Sequence, residues 1–86
     1  MTSTKNDRTL RAVFSSPARA DIRWHDIVTL LRSLGAEITE GSGSRVRVKL
    51  NGVRAVFHRP HPRPETDKGA LASVRRFLKE AGIDPP

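Results

Sequence analysis

The chain has no cysteine. That excludes a disulfide scaffold and any site built on thiolates. No apolar run approaches the roughly 20 residues needed to span a bilayer. No apolar signal-peptide core follows Met1, so the cytoplasm is the expected compartment and no membrane partner is expected. No Walker-type loop, dinucleotide fingerprint or nucleophile elbow is present. Gly41-Ser42-Gly43-Ser44 is short and precedes a strand pattern, so it is not a phosphate cradle at a helix start. Acidic residues are missing from one long stretch, Gly41 to Pro64.

Basic residues are abundant instead. The 86 residues carry 16 Lys+Arg against 9 Asp+Glu, a net charge of +7. So strong a field on one small domain points to an anionic partner, nucleic acid first. Apolar residues make up 36%, enough for a thin core. A deep, enclosed small-molecule site is not expected at this size, so any chemistry belongs on an open surface.

The pattern along the chain divides it into an N-terminal extension with a short helix (1–21), a basic domain (22–83) and a tail (84–86). Met1 to Lys5 are expected to be disordered. Leu10, Val13 and Phe14 share one face of a helix that Ser15-Ser16-Pro17 ends. This apolar face would cover either part of a sheet or a partner groove. From Ile22 onward, Trp24, Ile27, Leu31 and Leu34 recur at helical spacing, and Gly35 supplies a left-handed stop. Arg23, His25, Asp26 and Arg32 fall off that stripe and are expected at the surface.

The period then changes to two. Ala36 and Ile38 alternate with Glu37 and Thr39 as a short strand. Arg45 to Leu50 and Val53 to His58 alternate around Asn51-Gly52, a strong signal for a type I′ hairpin. Thr66 or Asp67 can cap a last helix carrying Leu71, Val74, Phe77, Leu78 and Ala81, which Gly82-Ile83 ends. The expected fold is α+β: a three-stranded antiparallel sheet packed on one face by two helices, with an extra N-terminal helix.

A two-residue turn at Asn51-Gly52 fixes the hairpin register. Leu50 then faces Val53, Lys49 faces Arg54, Arg47 faces Val56 and Arg45 faces His58. Val46, Val48, Leu50, Val53, Ala55 and Phe57 point to the core. Arg45, Arg47, Lys49, Arg54, Val56 and His58 share the other face. A slip of one residue would exchange the two faces. Together with Arg59 and Arg63, this stretch holds six cations and no acid. It is either an anion-binding face or a charged face that keeps an edge soluble.

Three histidines are present. No pair has helical metal-ligand spacing, and His58 and His61 lack a nearby cysteine or carboxylate, so no metal and no cofactor are expected. His58 stands opposite Arg45 on the cationic face. It either ends a strand and contacts phosphate or acts as a general base. Cleavage of RNA by its own 2′-hydroxyl needs a base, cations for the charge on phosphorus, and a donor for the leaving oxygen. Arg45, Arg47 and His58 could supply the first two and His61 the third.

The sequence resembles the HicA family, the toxin half of HicA–HicB toxin–antitoxin pairs, from about Ile22 to Ile83. The resemblance rests on several features in order. They are the Ile27–Leu31 helix ending at Leu34-Gly35, the Gly-Ser turn entering a basic hairpin, Pro60-His61-Pro62, and Lys68-Gly69-x-Leu71 through Ala81-Gly82-Ile83. It implies a double-stranded-RNA-binding-like fold and ribosome-independent cleavage of mRNA. It also implies inhibition by a HicB antitoxin, with the free protein a monomer. The family motif Gly-Ser-His carries the catalytic histidine, but here the matching residues are Gly43-Ser44-Arg45 or, one turn earlier, Gly41-Ser42-Gly43, and neither places a histidine there. Gly43 and Ser44 keep the turn. Either the base has moved, with His58 best placed, or the protein binds RNA without cutting it. In either case Arg45, Arg47, Lys49, Arg54 and Arg59 are the expected RNA-binding residues; a third reading has the basic face serving an acidic antitoxin-like protein partner.

Overall fold

A computed structural model describes residues 4–85. The elements run α1 (Thr4–Val13), α2 (Trp24–Ser33), β1 (Glu37–Glu40), β2 (Arg45–Leu50), β3 (Val53–His58) and α3 (Lys68–Glu80). The strands form one antiparallel sheet in the order β1-β2-β3. This is the expected α+β architecture.

The hairpin has the register that its alternation dictates. Leu50 pairs with Val53, Lys49 with Arg54, Arg47 with Val56 and Arg45 with His58. Asn51 and Gly52 both have positive φ, 50° and 83°, as a type I′ turn requires. Val46, Val48, Leu50 and Phe57 are buried, while Arg45, Arg47, Lys49, Arg54 and His58 are exposed. Asn51 does a second job. Its Nδ2 donates to the Ala81 carbonyl over 2.8 Å, tying the hairpin tip to the last turn of α3.

Phe57 joins the sheet to both helices beneath it. Its ring meets Trp24 of α2 edge-on at 6.0 Å and Phe77 of α3 at 5.7 Å. Offset or edge-on aromatic pairs add about 0.5–1.5 kcal/mol beyond the area they bury. Both helices end in paired backbone bonds around a left-handed glycine. Ala36 N–H donates to Leu31 O and Gly35 N–H to Arg32 O; Ile83 donates to Leu78 and Gly82 to Lys79. These are Schellman closures, and they satisfy carbonyls that the helix ends would leave open.

Helix α2 starts at Trp24, two residues after the apolar pattern begins. Ile22 and Arg23 are held in extended pairing instead. Trp24 N–H donates to Pro64 O and Thr66 N–H to Ile22 O, with Arg23 bridging Glu65. Asp26, expected in water, is half-buried because Lys5 Nζ lies 3.1 Å from its carboxylate. Asp67, not Thr66, caps α3, accepting from Ala70 N–H. Strand β1 runs one residue later than the pattern suggests, over Glu37–Glu40.

The N-terminal extension is more ordered than expected. Helix α1 begins at Thr4, so Thr4 and Lys5 are helical rather than disordered; residues 1–3, like Pro86 of the tail, lie outside the described residues. Leu10 and Val13 belong to the same buried cluster as Trp24, Ile27, Leu71 and Phe77. Helix α1 packs on α2 and α3 and leaves the outer face of the sheet open. Arg75 of α3 fastens it there: its Nε donates to Val13 O and a terminal nitrogen to Ser15 O, at 2.9 and 2.8 Å.

Two stability predictions follow from these contacts. Arg75→Met keeps the aliphatic stem and removes donors to two carbonyls at the end of α1. We expect a loss of about 1–3 kcal/mol in urea unfolding, with α1 amides the first to lose exchange protection. Thr66 is fully buried, and its Oγ1 has no hydrogen-bond partner among the described residues. Thr66→Val removes that orphaned hydroxyl at nearly constant shape. It should raise stability by about 1 kcal/mol, read as a higher urea midpoint at unchanged slope.

Candidate nucleic-acid interface

The outer face of the sheet is a grid of three rows. Strand β1 pairs with β2 so that Glu37 faces Lys49 and Thr39 faces Arg47. Combined with the hairpin register, one row reads Glu37–Lys49–Arg54 and the next Thr39–Arg47–Val56. The last has Arg45 opposite His58, with Gly41 N–H donating to Arg45 O at 2.8 Å. The face is therefore graded. One end carries a carboxylate among its cations, and the other pairs an unopposed arginine with a histidine.

Four cations on this face have no acidic partner. Among the described residues, Arg45, Arg47, Lys49 and Arg54 form no ion pair within 4.0 Å. Arg59 is different. It continues β3, with its N–H donating to Ser44 O at 2.7 Å. Strand alternation turns its side chain away from the side that Arg45 and Arg47 share. There its guanidinium forms an ion pair with Glu40 of β1.

His58 lies at the open end of the grid. Its Nδ1 stands 3.5 Å from the Ser44 hydroxyl, and Arg45 is its cross-strand partner. The ring is solvent-accessible, so a bound anion could reach it. His61 lies four residues from the start of the isolated bridge at Glu65, in the exposed loop before α3. It makes no hydrogen bond or ion pair among the described residues, to His58 or to any other group. His25 is exposed on α2, as expected.

Between the first two rows the face carries an open depression of ≈ 470 Å³ lined by Glu37, Thr39, Arg47, Lys49, Arg54 and Val56. Val56, at 47%, is the only exposed large hydrophobic side chain among the described residues. His58 is not part of this depression. Elsewhere, the Arg19 guanidinium hydrogen-bonds the Asp21 carboxylate and holds it below its ordinary range. That pair belongs to the loop between α1 and α2 and not to the sheet.

The family model for the HicA toxin of bacterial toxin–antitoxin systems matches residues 24–83. The chain belongs to the HicA toxin family. Curated proteins and solved structures give no match. The matched region starts with the first residue of α2 and ends at the Ile83 closure, so α1 lies outside it. A HicA-family chain is the toxin of such a pair.

In this HicA-family chain the turn before the hairpin is closed locally: Gly43 has φ 63° and Arg45 N–H donates to Ser42 O. Arg45 follows that turn as the first residue of β2. Two features of the face escaped sequence reasoning. The stretch free of acids in the chain is not free of them in space, because β1 brings Glu37 and Glu40 alongside it. The Ser44–His58 contact closes across 14 residues. The hairpin register alone signals it, since Arg45 opposite His58 brings Ser44 to the same end.

Ion pairing ranks the cations, and heparin affinity chromatography reads that ranking. Arg45→Ala or Arg47→Ala should elute at clearly lower salt than the parent. Arg59→Ala should elute close to it, because Glu40 already offsets that charge. Equal shifts for all three variants would show that the grid does not define the anion-binding surface.

Proposed function

We propose that this toxin is an mRNA interferase: an RNA-binding endoribonuclease held inactive by a HicB-like antitoxin. The observation that carries the reading is an exposed histidine facing an arginine on a sheet face with four unpaired cations. Arg45, Arg47, Lys49 and Arg54 hold the RNA phosphates. His58 takes the proton from a 2′-hydroxyl. The 2′-oxygen attacks the adjacent phosphorus and the bond to the 5′-oxygen breaks, leaving a 2′,3′-cyclic phosphate. His61 or water returns a proton to the leaving oxygen. Arg45 and Arg47 offset the charge that gathers on phosphorus. No metal or cofactor takes part in this scheme.

The free toxin acts as a cytoplasmic monomer in this reading, and the antitoxin covers the same cationic face. Complementary charge then speeds their association. A second reading has one observation in its favour. Neither Gly43-Ser44 nor Gly41-Ser42 is followed by a histidine, which the resemblance leads one to expect there, so the chain could bind RNA without cutting it.

Purified protein incubated with mRNA in EDTA separates the two readings. The interferase cleaves, and His58→Ala abolishes cleavage while binding persists. Cleavage that survives His58→Ala removes that histidine from the scheme. Salt-dependent binding with no cleavage by the parent selects the binding module. With four phosphate contacts, the slope of log affinity against log salt on single-stranded RNA should be about −3.

A further inference from the structure

The depression on the sheet face sets a carboxylate beside cations that serve phosphate. Phosphate seats are lined by cations and N–H donors, and a carboxylate in one repels the ligand. Here Glu37 stands in line with Lys49 and Arg54, one residue from each strand. Among the described residues Glu37 makes no ion pair within 4.0 Å, although Lys49 is its direct cross-strand partner. Glu37 lines the depression, and its carboxylate is left free to accept hydrogen bonds. Val56 adds an apolar surface and Thr39 a hydroxyl.

An acceptor on β1, donors on β2 and β3 and an apolar side chain in the adjacent row match a nucleobase. Strands β1 and β3 lie two strand spacings or about 10 Å apart. A purine with a hydrogen bond at each end can bridge that gap. Among the four bases, guanine alone carries two adjacent donors, N1–H and the 2-amino group, on its Watson–Crick edge. These fit the two oxygens of one carboxylate. Its O6 and N7 acceptors fit N–H donors that Lys49 and Arg54 have left over after a phosphate contact, since an ammonium carries three and a guanidinium five. Adenine and cytosine offer a carboxylate one amino group, and uracil offers one ring N–H. An unpaired base is needed, because pairing would occupy the edge that Glu37 reads.

We propose that Glu37, with Lys49, Arg54 and Val56, forms a guanine seat that selects the RNA segment lying across the sheet. The proposal rests on the RNA-binding reading above. It adds a specificity residue on β1, beyond the basic hairpin. The Glu37–Lys49–Arg54 row lies two rows from Arg45 and His58, so a guanine held there sets the register of the strand that runs on toward the histidine.

The test measures binding of oligouridine eight residues long with and without one central guanosine, by fluorescence anisotropy at fixed salt. The parent protein should bind the guanosine-containing strand about tenfold more tightly. Replacing that guanosine with inosine, which lacks the 2-amino group, should remove most of the gain. Glu37→Gln, nearly identical in shape, should lose the preference while still binding oligouridine; circular dichroism confirms its fold. Glu37→Ala should behave alike. If Glu37→Gln tightens binding to both strands equally, Glu37 only tunes the charge of the face and the proposal is overturned. Equal binding of both strands by the parent overturns the guanine seat but leaves RNA binding intact. Failure of the parent to bind either strand overturns the RNA reading itself.

Discussion

Everything on the open face depends on which way Phe57 points. Its ring is caught edge-on between Trp24 and Phe77, one from each helix beneath the sheet. With Phe57 held inward, alternation sends Val56 and His58 outward, and the ladder to β2 sends out Arg45, Arg47 and Lys49. A shift of one residue would drive a row of cations into the core. The cost of burying them keeps the cationic grid in register as firmly as the aromatic contacts do.

Much of this was legible in the chain because the hairpin is local. A two-residue turn leaves one register, and Asn51-Gly52 identifies the turn. The helix stops at Gly35 and Gly82 were equally local, since a left-handed residue after an apolar stripe closes the last turn. Contacts that depend on flexible spacing were not legible. The Gly41–Ser44 turn permits several pairings of β1 with β2, so the position of Glu37 beside Lys49 could not be computed from alternation. Nor could the pairing of Ile22–Trp24 with Pro64–Thr66, which delays the start of α2. Arg75 shows the same limit. Its partners are carbonyls 60 and 62 residues away, and backbone acceptors leave no mark in a sequence.

The candidate site was legible in its cations and incomplete in its acids. Charge counted along the chain placed six cations in one block. Charge counted on the folded face removes Arg59 to a pair with Glu40 and adds Glu37 to the grid. The face is consequently polar along the strands. Its cations stand alone where Arg45 meets His58 and are tempered by a carboxylate two rows away. A uniform basic surface would hold any polyanion in many alignments. A graded one favours a single alignment, because a phosphate and a base are welcome at different ends.

The Asn51 amide gives that gradient a firm base. By bonding Ala81, it fastens the tip of the hairpin to the helix beneath, while the Phe57 contacts fasten its far end. The hairpin is thus clamped at both ends and behaves as a plate, with little freedom to curl around a ligand. A flexible strand laid on it must take the shape of the plate. The ordering entropy of association then falls on the ligand and on the long cationic side chains, with little left for the protein backbone.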